Sequence, residues 1–136
     1  MALVVLRMGK RWSQIAAYTP PVLGACDVHE CPVELDDPNV RLHWRQAIYR
    51  GKVVDFAISV QVRGSDDRTE EWIDIYRVDT THGVLHDHVF NRRGDTKREL
   101  EAIPAKGWDF VDAAFREHLE GLLKNWHTHV RRWNGD

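Results

Sequence analysis

Between Trp72 and Phe90 two alternating runs meet at His82-Gly83, and a chain written this way folds most simply as a β-hairpin. Gly accepts a positive φ freely, and His tolerates it better than most residues. A two-residue loop there opposes Thr81 to Val84, and the rest of the register follows. Asp79 faces His86, Arg77 faces His88, and Ile75 faces Phe90. Side chains of opposed pairs lie near enough to touch. Arg77, Asp79, His86 and His88 therefore share one face, with Ile73, Ile75 and Phe90 as its apolar end. Alternation puts Trp72, Tyr76, Val78, Leu85 and Val89 on the other, a core face interrupted by Asp74 and Asp87. A three-residue loop would set His86 against Val78 and loosen the cluster.

Upstream, residues 41–49 read as a strand with Leu42, Trp44, Ala47 and Ile48 as apolar positions, and Arg50-Gly51 marks a turn. In residues 53–62, Val54, Phe56, Ile58, Val60 and Val62 share one parity. Val53, Asp55, Ala57, Ser59 and Gln61 share the other, so one face is apolar and one mixed. After the turn cluster Gly64-Ser65-Asp66-Asp67, the hairpin strands run over about 71–79 and 84–90. The polar stretch 91–106 reads as a long loop. From Gly107 onward, Trp108, Val111, Phe115, Leu119, Leu122 and Trp126 recur at steps of three and four, the stripe of an amphipathic helix. Asp109 and Asp112 near its start, and Lys124, Arg131 and Arg132 near its end, suit the helix dipole.

The expectation is a single α+β domain. An antiparallel four-stranded meander sheet over 41–90 carries a long C-terminal helix, 107–132, packed on one face. Residues 1–40 form an irregular N-terminal segment, in which Trp12 to Tyr18 has weak helical character and Pro20-Pro21 stops a helix. It reads as an arm available to wrap the domain or meet a partner.

A chain of 136 residues, 43% hydrophobic and 29% charged, can bury one core without metal or disulfides. Its net charge of -2 gives no overall positive field, so nucleic-acid binding needs a local patch. The opening Met1 to Leu6 run is too short to span a membrane, and Arg7, Lys10 and Arg11 end it. With no secretory pattern, the expectation is a cytoplasmic protein with no membrane partner. Cys26, His29 and Cys31 offer three zinc donors at a spacing unlike the paired knuckle, so the cysteines read as small, partly buried residues.

The hairpin face carries the chemistry. An Asp beside a His holds the imidazole tautomer and raises its basicity, and a second His can act as complementary acid. Arg77 can bind a phosphate or an anionic transition state. Two histidines and a cation suffice for metal-free cleavage of RNA through its own 2′-hydroxyl, with no cofactor. The same His86-x-His88 pair with Asp79 also makes a three-ligand metal site with an open position. The plain alternative is an ordinary sheet face whose cross-strand pairs are mildly stabilising. Arg92, Arg93, Lys97 and Arg98 follow directly and can track a phosphate backbone. Trp126 to Trp133 mixes aromatics with cations, a pattern that stacks on bases or packs a helix end on the sheet. His127 and His129 cannot share a helix face, and His43 and His118 have no evident partner.

Tyr76-Arg77-Val78-Asp79, followed by His82 and then His86-Asp87-His88, resembles the TumE-like family of small toxins from bacterial toxin-antitoxin pairs. The likeness covers about residues 41–126. It implies a toxin neutralised by a helix-turn-helix antitoxin, with RNA as its target. Joined to the residue reading, it makes the leading expectation a metal-independent ribonuclease-like toxin. His86 and His88 are its acid/base pair, Asp79 the orienter and Arg77 the anion binder, with His82 in the connecting loop. Arg92, Arg93, Lys97 and Arg98 guide the RNA. The alternatives are a non-catalytic interaction protein that docks a partner protein or nucleic acid, and a metal-dependent hydrolase. A homo-oligomer is compatible with each.

Overall fold

A computed structural model describes residues 18–64 and 71–135 with their side chains, and the backbone of two earlier strands, Leu3–Met8 (β1) and Arg11–Ala16 (β2). These two pair antiparallel, from Leu3 against Ala16 to Met8 against Arg11. The chain then builds a six-stranded antiparallel sheet in sequence order. Its strands are Asp27–Glu34 (β3), Val40–Tyr49 (β4), Lys52–Arg63 (β5), Trp72–Asp79 (β6), Val84–Val89 (β7) and Thr96–Ala102 (β8), followed by a long helix, Trp108–Asn134 (α1). The α+β class, the meander and the C-terminal helix agree with expectation. The strand count does not.

Both additional strands of the sheet are edges, and that explains why they read as loops. β3 carries Pro32, which removes a ladder donor and is tolerated in a sheet only where no neighbour needs that N–H. β8 is exposed along its whole length. Its charges suit an edge that must not pair further, so the expected loop over 91–106 is a strand through its middle. The N-terminal 40 residues are likewise not irregular, because β1, β2 and β3 lie within them. From Trp12 to Ala16 the weak helical pattern gives way to pairing with β1, whose Val4 and Val5 favour strand.

Helix α1 packs across β5. Its Val111, Ala114, Phe115, Leu122 and Trp126 are buried against Leu42, Phe56, Ile58, Val60, Tyr76 and Val78. Phe115 meets the rings of both Trp44 and Phe56 edge-on. Asp112 Oδ1 accepts the Val53 N–H at 2.9 Å and Asp109 pairs with Lys52, which fastens the start of the helix to β5. Among the described residues no helix is long and apolar enough to cross a membrane.

The β4–β5 hairpin closes on Arg50 (50°) and Gly51 (78°), and β6 passes to β7 beyond the Asp79–His86 pair through a single 3-10 turn, Thr81–Gly83, in which His82 (63°) and Gly83 (74°) likewise have positive φ. The turn at Arg50-Gly51 matches the twist of its flanking strands and leaves their register no slack. Gly83 is constrained twice, since a Cβ there would stand 2.5 Å from the Tyr18 carbonyl oxygen. Gly83→Ala is expected to cost about 2 kcal/mol through positive-φ strain and displacement of the Tyr18 backbone. An unchanged urea midpoint would contradict that packing.

Candidate functional site

The turn sets Arg77 opposite His88 and Asp79 opposite His86, and the Phe90 N–H donates to the Ile75 carbonyl at 3.1 Å. The neighbouring strands extend these pairs into rows. One row runs Ser59, Arg77, His88, Lys97, and the next runs Ala57, Asp79, His86, Glu99. Residues of one row point to the same face, here the face turned away from α1. The alternation slips once, where the β5–β6 register shifts between Val60 and Gln61 and Gln61 pairs with Asp74. Ile75 is the extra residue of this bulge and is fully buried. Residues before it change sides, so Trp72 and Asp74 leave the core face expected for them and join that of Arg77. Asp74 there accepts a bond from Gln61 Nε2 (2.7 Å) and faces Arg77 Nη1 at 3.6 Å. Arg41 and Arg63 lie over the Trp72 ring.

Asp79, 3% exposed, is the hub of the cluster. Its Oδ1 meets His86 Nε2 at 2.8 Å and the Thr81 N–H at 3.0 Å, and its Oδ2 accepts from Arg77 Nε at 3.1 Å. Burial pushes this carboxyl up, but the Thr81 bonds, His86 and Arg77 outweigh it and hold its pKa below the ordinary value. His86, 4% exposed, has its other nitrogen, Nδ1, 3.0 Å from the Val84 carbonyl. Both of its nitrogens are therefore engaged within the fold. His88 is half-buried, edge-on to His86 with ring centres 5.4 Å apart. Burial first, then the Arg77 charge, lower the His88 pKa, so the ring is neutral at pH 7. A cavity of about 140 Å³ adjoins His86, lined also by Thr81, His82, Val84, Lys97 and Glu99. His82 stands exposed at that rim, outside the cluster.

The four basic residues expected to follow RNA are dispersed. Lys97 completes the His88 row. Arg98 points to the helix side and clasps Asp87 with two bonds, Nε to Oδ1 at 2.9 Å and Nη2 to Oδ2 at 2.5 Å. It is not available to a phosphate on the hairpin face. Arg92 covers the Trp133 ring and, with Arg93, lines a cleft at the end of α1. The Asp87 network is what sequence reasoning missed. Asp87 is 1% exposed and also accepts the Tyr76 hydroxyl at 2.8 Å. The available signal was an acid on a core face, which requires partners. His129 stacks on Tyr76 beside it, whereas His127 is exposed.

The Cys26 and Cys31 thiols bond to the backbone carbonyls of Val22 and Pro32. Among the described residues, the grouped metal-type donors are Asp79, His86 and His88, whose ligand atoms lie within 4.8 Å of one another. Residues 28–135, from β3 to the end of α1, match a family described as a domain of unknown function (DUF7718). No curated protein and no solved structure matches the chain.

Proposed function

The chain belongs to that DUF7718 family, and we propose that it is the toxin of a bacterial toxin-antitoxin pair, a ribonuclease-like protein acting at the Arg77–His88–Lys97 row. One juxtaposition carries the reading. A neutral, half-buried imidazole stands in register between two cations on adjacent strands, beside the buried Asp79–His86 pair. Arg77 and Lys97 hold the scissile phosphate and offset the charge that builds on it. His88 accepts the proton of the RNA 2′-hydroxyl. The 2′-oxygen attacks phosphorus, the bond to the 5′-oxygen breaks, and that oxygen takes a proton from water. The products are a 2′,3′-cyclic phosphate and a 5′-hydroxyl. His86, with both nitrogens engaged, is a positioning residue that fixes Asp79 and through it Arg77. The acid/base pair expected from the sequence thereby narrows to His88, and the route uses no metal. A helix-turn-helix antitoxin is the proposed partner.

Induced expression in a bacterial host should arrest growth, and His88→Ala or Arg77→Ala should relieve the arrest at equal protein level. RNA treated with purified protein should carry cyclic phosphate ends. Growth arrest by His88→Ala as deep as the wild type's sinks the ribonuclease reading. If charge reversal at Arg92 and Arg93 abolishes toxicity while His88→Ala does not, the protein is a non-catalytic docking module.

A further inference from the structure

The geometry points to a divalent transition-metal site formed by Asp79, His86 and His88, which the RNA-cleaving route above does not use. The three donors come from adjacent strands, and Asp79 Oδ1 is already 2.8 Å from His86 Nε2. Ligand atoms about 2.0–2.2 Å from one ion stand roughly 3 Å apart at neighbouring positions, so this pair has the spacing a shared ion needs. His88 sits two residues along the same strand, and a nitrogen of its half-buried ring lies within 4.8 Å of the ligand atoms of both. The outer contacts fit as well. A metal-bound imidazole normally donates its second N–H to a carbonyl or carboxylate, and His86 Nδ1 faces the Val84 carbonyl at 3.0 Å. That bond makes Nε2, the nitrogen facing Asp79, the ligand atom.

The carboxylate also divides its work. Oδ2 is held by Arg77, and Oδ1, which accepts one bond from the Thr81 N–H, still turns a lone pair toward His86 Nε2 for the ion. Arg77 and Lys97 weaken the attraction for a bare cation, but three converging donors outweigh them, and the same two residues favour an anion seated on the bound metal. Two imidazoles and one carboxylate with open positions suit zinc or iron(II). Once bound, the ion occupies the His88 lone pair that accepts the 2′-proton, so occupancy switches off metal-free cleavage. Only this regulatory consequence rests on the RNA-cleaving reading.

The full chain, stripped with EDTA and titrated with zinc chloride by calorimetry, should bind one zinc. Cobalt(II) in its place should give a visible ligand-field spectrum. His88→Ala and Asp79→Asn should each weaken zinc binding about tenfold or more, while His29→Ala leaves it unchanged. No binding, binding indifferent to His88→Ala, or binding lost in His29→Ala overturns the site. Cleavage measured on the same samples separates the two ideas. If zinc binds through His88 and cleavage requires it, the metal site stands and the metal-free mechanism falls. If cleavage persists in a protein that binds no zinc, the metal site alone falls.

Discussion

Replacing Arg98 with Ala is expected to destabilise the protein by about 3 kcal/mol, while replacing its chain neighbour Lys97 leaves stability within about 0.5 kcal/mol. The two residues are adjacent in sequence and opposite in surroundings. The Arg98 guanidinium is largely in water, so its ion pair alone is a modest contribution. The cost comes from Asp87, which is 1% exposed and keeps only the Tyr76 hydroxyl once Arg98 is gone. Burial foremost, together with the bond to Asp87, raises the Tyr76 pKa, so the phenol remains a donor. One neutral donor does not solvate a buried carboxylate. Asp87→Asn combined with Arg98→Ala should recover part of the loss, because an amide needs no counter-charge. Urea unfolding of the two single variants checks the contrast. Equal midpoints for Arg98→Ala and Lys97→Ala would mean that Asp87 is not held as described.

What was legible in the sequence follows from how local each determinant is. The His82-Gly83 turn is local, and its two positive-φ residues carried the pairs Arg77–His88 and Asp79–His86 with them. The stripe of α1 is local too. The edges were not legible, because β3 and β8 owe their strand character to pairing with the adjacent strand and not to their own residues, while Pro32 and the charged run from Thr96 look like loop. The bulge at Ile75 was hidden for a related reason. It is a mismatch between two strands, and no periodicity within β6 records it; reading straight through placed Asp74 and Trp72 on the wrong face. Arg98 leaves the hairpin face because the β7–β8 register, unknown without β8, decides which side it takes. Within the candidate site, residue identities were readable, but not the occupied Nδ1 of His86. That contact to Val84 depends on a ring rotation that no spacing encodes.

Between pH 6.5 and 4 the protein is expected to lose up to about 3 kcal/mol of stability through His129, and His129→Phe should remove that part of the slope. The His129 ring stacks on Tyr76 with centres 4.0 Å apart, and its Nδ1 lies 2.7 Å from Arg132 Nη1. A guanidinium can only donate, so the imidazole nitrogen accepts and the ring is neutral. Burial first, and Arg132 and Arg98 with it, lower its pKa from the ordinary 6.5 to about 4; the Asp87 charge opposes them and loses. In the unfolded chain the same ring protonates near 6.5. Within that window the unfolded state binds the extra proton, so the contribution is complete above pH 6.5 and vanishes as pH falls through 4. Partial exposure of the ring makes the quoted figure an upper bound. His88 and His118 are also lowered by burial and add slope of the same sign, so the informative quantity is wild type minus variant. Phe keeps the stack on Tyr76, and Arg132 keeps the Ile75 carbonyl and the Asn91 side chain. Unfolding free energies at pH 7, 5.5 and 4.5 decide it. Parallel curves for wild type and His129→Phe would show that folding leaves the pKa of this ring unshifted.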